Sequence, residues 1–572
     1  LNDYELLRVI DFMEKVRAPF LKRIPGATDD PYWNTVVSLV REHVLGRMVT
    51  VSSLAQMSGA PYATALRRIN ALIDNGLIVT RAKSPTSTKF ALLPSEELLA
   101  AFIEQATDVK VLVAQTIGLR PGVESEGEYY FGGSAGSRLI PPLRLVERRR
   151  NEDWDVRFLL HNDNYFVSMQ NMWTDMRNNL ASRSDFELQP LPLLHTRALE
   201  NARSADPVFD VVSLNMPWLG EFAEAGLLRP LDDFISRGNI QALDFHPSVW
   251  STGTWNGRQY GIPIYCTAQA LHARRDLFEE AGLAYPKRFA DVLEAGRALH
   301  RPAKGLYGIS WNGARGMPVA STFMFLMGCC GKPIIGAAGR AESFSPQAGT
   351  DVAETVNIDT PSGAAVLDYL HQLIEISPPG VLEADWNAAL RTFLTGAAAM
   401  SYCWTMRAAR CEYDLQSAVK RKVEYLPQPA GPNGQQVTPL GGFVLTLPAS
   451  LSPDRAALAF EAIEWMASRE AMKEHVKNGY PVSPRFSVSA DPEAAATSPI
   501  VRFVDKLARR DMLHSWQRPP IPAYRAIEES IGEHVHRALC GEIADKAALS
   551  LIQETVERLL RESAREAQGV PG

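Results

Sequence analysis

Apolar side chains over the first hundred residues recur at three- and four-residue spacing, which predicts helices at Leu6 to Phe20 and Tyr32 to Val44. A tighter pattern follows. Ser53 and Gln56 suit a capping box opening a short helix within Val51 to Ser58. Gly59 supplies a turn, and Pro61 suits the first position of a second helix running Tyr62 to Asp74. Within that helix Leu66, Ile69 and Ile73 form an apolar stripe. Tyr62, Thr64, Arg67 and Arg68 fall largely off it. Gly76 ends the helix, and Leu77 to Arg81 and Thr88 to Leu92 read as two strands flanking a basic loop. Ser95 to Gly118 reads as a connector helix, and Arg120 to Glu128 has the Pro, Gly and Glu makeup of a linker.

Beyond residue 129 the pattern changes to short apolar runs alternating with helical segments. Asp155 to Leu160, Phe186 to Gln189 and Phe209 to Leu214 read as strands, with a long helix at Ser168 to Leu180. Alternation of this kind predicts a doubly wound α/β sheet, in which ligands bind beyond the carboxyl ends of the strands. Asn162, Asp163, Asn164 and Trp218 stand at such ends.

Composition narrows the class. At 572 residues, with 46% hydrophobic and 22% charged side chains, the chain is long enough for several globular domains. Net charge is −6, yet Arg41 to Leu93 carries seven basic side chains against two acidic ones. A basic module on an acidic body suits nucleic-acid contact by the module alone. The six cysteines are sparse, with no metal-ligand spacing, and fit buried thiols in a reducing compartment. The first residues lack a basic and then apolar leader pattern, and no apolar run is long enough to span a bilayer. A cytoplasmic protein is therefore expected. No phosphate-loop, HExxH or GxSxG motif occurs, so neither an enzyme nor a bound metal or cofactor is expected.

Helix, turn, helix and hairpin over about sixty residues resemble the winged helix-turn-helix of MarR-type bacterial regulators. The resemblance implies double-stranded DNA as partner. Arg67 and Arg68 would meet base edges or phosphates, Tyr62 and Thr64 would set register, and Arg81, Lys83 and Lys89 would reach the flanking backbone or minor groove. Such regulators usually dimerise, which implies a homodimer on a palindromic operator.

A second resemblance covers about 430 residues. Gly226-Leu227-Leu228-Arg229-Pro230-Leu231-Asp232, Tyr260-Gly261-Ile262-Pro263-Ile264-Tyr265, Tyr402-Cys403-Trp404, Pro439-Leu440-Gly441-Gly442-Phe443 and Asn478-Gly479-Tyr480-Pro481 carry it. Their order and spacing are similar to the extracellular solute-binding proteins of ABC sugar transporters, the maltose-binding-protein class. This implies two α/β lobes (a type II periplasmic-binding-protein fold) closing on a sugar or polyol, with crossings near 263–271 and 429–443. Domains are then expected at 1–94, 95–128 and 129–565. Trp218, Tyr265, Trp311, Trp404 and Tyr480 are the expected stacking plates. Asn162, Asp163, Asn164, Asn312, Arg315 and Arg407 are the expected polar contacts. Together the two parts predict a ligand-responsive transcription regulator. The alternative is an ABC-type solute receptor with an N-terminal partner-docking module.

Overall fold

The computed structural model describes residues 10, 31–44, 47, 49–82, 90–103, 105, 155–163, 186–337, 354–413, 417–477, 479–480 and 482–567. The expected helix at 6–20 (apart from residue 10), Lys83, Lys89, the linker at 120–128, Asn164 and the helix at 168–180 lie outside them. The chain divides into two compact units, Leu1–Phe131 and Gly132–Gly572.

The first unit contains helices Pro31–Val44, Val51–Met57 and Tyr62–Asp74, then the antiparallel strands Ile78–Ala82 and Phe90–Pro94. The second helix starts two residues before the expected cap. Thr50, not Ser53, is the N-cap: its Oγ1 accepts from the Ser53 N–H at 3.2 Å, and the Ser53 hydroxyl accepts from the Thr50 N–H at 2.8 Å. Ser53 serves the reciprocal role that the sequence reading gave to Gln56. Pro61 is likewise the residue before the next helix rather than its first. That helix buries Ala65, Ile69 and Leu72, so its inward face is rotated slightly from the expected stripe. Leu54, Ile78, Leu92 and Phe102 complete this small core. Tyr62 (58% exposed), Val79 and Phe90 point outward.

The second unit is organised by one strand, Gly261–Arg274, whose fourteen residues are all buried. Its first part is largely apolar, while the later part also buries Thr267, Gln269, His272 and Arg274. Its first half pairs with Thr438–Thr446, which pairs in turn with Val211–Asn215; Phe158–His161 and Glu187–Gln189 continue that side in parallel. From Gln269 onward the same strand pairs instead with Ala398–Trp404 and Val423–Leu426, and Tyr307–Ser310 lies beyond Ala398–Trp404. The partner exchange between Ala268 and Gln269 divides the sheet into two lobes. Leu191–Arg203 packs on the first lobe; Met317–Cys329, Pro361–Glu375 and Asp545–Ala567 belong to the second.

A third connection follows Leu513–His514, which pairs with Thr438 and Pro439. It passes close over the first lobe: a Cβ on Gly220 would stand 1.8 Å from the Pro520 carbonyl oxygen. Helix Tyr524–Leu539 then packs on the second lobe, where a Cβ on Gly532 would stand 2.3 Å from the Gly316 carbonyl oxygen. From its first turn Arg525 donates to His195 Nδ1 at 2.9 Å, back on the first lobe. A guanidinium can only donate, so the ring proton lies on Nε2, which meets Glu221 at 2.8 Å. Among the described residues no helix is long and apolar enough to cross a membrane, and no group of three or more His, Cys, Asp or Glu could hold a metal ion.

Candidate functional site

Strand register brings one set of side chains together where the lobes exchange strands. Asn215 pairs with Phe443, Phe443 with Tyr265, Gly441 with Thr267, and Gln269 with Trp404. Directly paired residues project to the same side of a sheet, so these seven share one face. The glycines are required by crowding. A Cβ on Gly441 would stand 2.7 Å from the Trp404 ring, and Gly442 adopts φ +151° beside a register shift between Phe443 and Val444. Hydroxyls tie the strands across the exchange point. Thr405 Oγ1 accepts from the Ala268 N–H at 2.9 Å, and Thr267 Oγ1 accepts from the Met406 N–H at 3.1 Å.

A carboxyl group stands at this face. Asp163, just past strand Phe158–His161, has a buried side chain that accepts the Tyr265 hydroxyl. His161 Nδ1 lies 3.0 Å from the same carboxyl group, and its ring stacks on Phe443 at 4.6 Å. Tyr265 lies against Phe443 at 5.7 Å and meets Tyr480 edge-on at 5.3 Å. The Tyr480 hydroxyl donates to the Cys266 carbonyl oxygen at 3.0 Å. Burial pushes the Cys266 thiol far up and the Cys403 thiol up to about 12, so neither is a ready nucleophile. The rings of Tyr265, Phe443 and Tyr480 and a hydrogen-bonded carboxyl group are thus packed together, all buried, where the lobes exchange strands.

The structure distributes the sequence-predicted residues unevenly. Asp163 and Tyr265 meet; Tyr480 packs behind them, and Trp404 lies farther along the same face. Asn162 is half-buried, with its N–H on the Gln189 carbonyl. Trp218 is interior, edge-on to His195 at 4.9 Å. Trp311 is fully buried and donates from Nε1 to Ser377 at 3.0 Å, so it is a core side chain of the second lobe. Asn312 is also internal, bridging the Pro318 carbonyl and the Thr322 hydroxyl. Arg315 is half-exposed and paired with Glu533 at 3.5 Å and Glu542 at 3.3 Å. Arg407 donates to Asn387. In the first unit Arg67 is exposed, Thr64 and Arg68 are half-buried, and Arg81 lies in a strand.

His161, Asn215, Gln269 and Phe443 join the site without having been singled out as contacts. Phe443 pairs with Tyr265 and Gln269 with Trp404, and Asn215 follows through Phe443, but register is not readable from one strand alone. His161 had a visible signal, being the last residue of a strand that ends at the site.

Residues 195–473 match the family described as bacterial extracellular solute-binding protein. Over 372 residues the chain is 26% identical to a mannitol-binding protein of Pseudomonas aeruginosa, covering 62% of this chain and 80% of that protein. The ABC-transporter solute-binding protein of Agrobacterium radiobacter K84, solved with ribitol, aligns over 73% of this chain and 100% of its own, at 24% identity and TM-score 0.65. The corresponding protein of Agrobacterium vitis S4, solved with D-mannitol, aligns over 72% and 99%, at 22% identity and TM-score 0.61. These structural likenesses establish the two-lobed periplasmic-binding-protein-like fold.

The matches overturn several expectations. The transcription regulator, its double-stranded DNA partner, and the palindromic operator with the dimer meant to read it are not supported by relatives that are transporter receptors. The cytoplasmic assignment conflicts with a family described as extracellular. A basic, exposed helix face is compatible with many partners, which is why local charge misled. The solute-receptor alternative is the better supported one.

Proposed function

We propose that this chain, built around the solute-binding domain matched at residues 195–473, is the polyol or sugar receptor of an ABC-type uptake system. The observation that carries this reading is the carboxylate and aromatic cluster at the strand exchange, where Asp163, Tyr265 and Phe443 meet. The names of the similar proteins, which bind mannitol and ribitol, support the solute class. Asp163 and Gln269 accept ligand hydroxyls, while Tyr265, Phe443 and Trp404 offer apolar faces to C–H groups. Closure would turn the lobes about Ala268–Gln269 and the register shift at Phe443–Val444, a hinge that ligand biases. The reading involves no catalysis.

In the same proposal the first unit is a winged-helix-type module that docks a protein partner. Its exposed Tyr62, Val79 and Phe90 favour contact with another surface. The test of the receptor reading is thermal melting of the purified chain with mannitol, ribitol and maltose. A ligand at about a hundred times its Kd stabilises by roughly 2.7 kcal/mol, a clear rise in melting temperature. Trp404→Ala should abolish the rise. No shift with any of these solutes would count against the receptor reading.

A further inference from the structure

We infer, resting on the receptor reading above, that Gln517, carried by the third connection, is a specificity-determining residue of this site: its carboxamide reads two neighbouring hydroxyl groups of the solute. Nothing in the sequence pattern singles this glutamine out. Its burial, its placement and its chemistry do.

Gln517 is 1% exposed, yet neither its Nε2 nor its Oε1 has a hydrogen-bond partner among the described residues. The polar groups that follow it are committed to one another. Arg518 donates from Nε to the Tyr524 hydroxyl at 2.9 Å, and that hydroxyl donates to Glu528 at 2.6 Å. A buried amide left bare at both ends is destabilising, and it calls for a partner that the chain itself does not supply.

The backbone delivers this side chain to the face where the lobes exchange strands. Leu513 pairs in parallel with Thr438 and His514 with Pro439, so the chain heads toward Gly441. A turn closed by the Arg518 N–H on the Ser515 carbonyl at 3.1 Å then presents Gln517. Helix Met317–Cys329 fixes the other side. A Cβ on Gly328 would stand 2.6 Å from Gln517 Cγ, so the helix makes room for this glutamine with a residue that has no side chain. Three residues earlier on the same helix face, Phe325 meets the Trp404 ring edge-on at 5.3 Å. The helix contacts of Trp404 and Gln517 thus lie roughly 5 Å apart along its axis. Trp404 in turn stands beside Gln269 and over Gly441.

A carboxamide presents an acceptor and a donor side by side. Adjacent hydroxyl groups present the complement: one O–H donates to Oε1, and the neighbouring hydroxyl oxygen accepts from Nε2. A lone hydroxyl leaves one end of the amide bare. Gln517 therefore selects by the spacing and configuration of two hydroxyls, not by how many the solute carries. In the empty protein the same side chain lowers stability, so its effects on folding and on binding have opposite signs.

Gln517→Met in the full chain tests this, because it keeps the length of the side chain and removes both polar atoms. The urea midpoint should stay unchanged or rise. Affinity for mannitol, or for whichever of ribitol and maltose binds instead, should fall about thirtyfold by calorimetry, the worth of two hydrogen bonds. A glutamine that serves only packing would do the reverse. Three symmetric probes then separate direct from indirect action: 1,6-, 2,5- and 3,4-dideoxymannitol each lack the same pair of hydroxyls whichever way round they bind. For at least one of them the substitution should cost no more than about sixfold, since a partner of the amide is already missing. Affinity within about threefold of wild type overturns the inference and leaves the receptor reading in place. An equal penalty on mannitol and all three probes also overturns it, because Gln517 then acts only through its neighbours. If Gln517→Met does not fold, the same comparison in Gln517→Leu decides. Binding of none of mannitol, ribitol and maltose by the wild-type chain overturns the receptor reading, and the inference falls with it.

Discussion

Mild acid should unfold the solute-binding unit, because three histidines are held neutral in its interior. His272 lies on the lobe-spanning strand, edge-on to Tyr425 at 5.1 Å, with both ring nitrogens buried and without partners. Burial lowers its pKa from 6.5 to about 3, and that of His475 to about 3. His246, also buried and with neither ring nitrogen partnered, is lowered to about 4, chiefly by burial; Asp505 and Asp244 pull it up and Arg509 pushes it down. Above pH 6.5 folded and unfolded rings are both neutral and the contribution is whole. Between pH 6.5 and the folded values only the unfolded chain takes up protons, so stability falls with pH. At pH 5 each ring contributes a loss of about 2 kcal/mol, and the three about 6 kcal/mol. That is comparable to the roughly 5–15 kcal/mol stability of a typical domain. Asp244, Asp276 and Asp491, whose pKa values are lowered, lose their contribution only at more acidic pH, so the window is set by histidine. Urea midpoints followed by tryptophan fluorescence at pH 7.5, 6.5, 5.5 and 5 should fall steeply below 6.5. His272→Phe should remove about 2 kcal/mol of that dependence. Equal midpoints at pH 7.5 and 5, or an unaltered slope in the variant, would refute the reasoning.

Two further outcomes follow from close contacts. Gly441→Ala places a methyl 2.7 Å from the Trp404 ring, so the ring must shift; polyol affinity measured by calorimetry should fall about tenfold, with the circular dichroism spectrum unchanged. Full affinity would remove Trp404 from the site. Arg525→Ala deprives His195 Nδ1 of its donor at the third connection and should cost about 1–3 kcal/mol in the urea midpoint at pH 7.5; no change would mean that the contact does not join the lobes.

Much of the architecture was legible in the chain before any coordinates. The strands ending near Asn162 and Asn215 and the glycine pair at Gly441 stand where alternation and spacing put them, because strands buried in the middle of a sheet leave a plain apolar signature. The side-chain assignments were less legible. Trp311 and Trp218 look like ring-stacking plates in sequence, yet a large aromatic serves a core equally well; the Ser377 hydroxyl and the His195 ring that claim them are far away in the chain. Arg315 meets Glu533 and Glu542 more than two hundred residues later. Nothing local encodes such pairings. The first unit shows the same limit in function: Arg67 is exposed as expected, but exposure and charge do not specify what it touches.

The shared strand also bears on how the chain is made. Val211–Asn215 pairs with Phe158–His161 on one edge but cannot acquire its other neighbour until Thr438–Thr446 exists, more than two hundred residues downstream. A ribosome adds about 5–20 residues per second, so the half-built first lobe waits on the order of ten to forty seconds with an apolar strand edge unpaired. Loops of that length close slowly, and unpaired edges invite association between nascent copies. Expression yield should therefore respond to holdase chaperones more strongly than the stability of the finished protein would indicate.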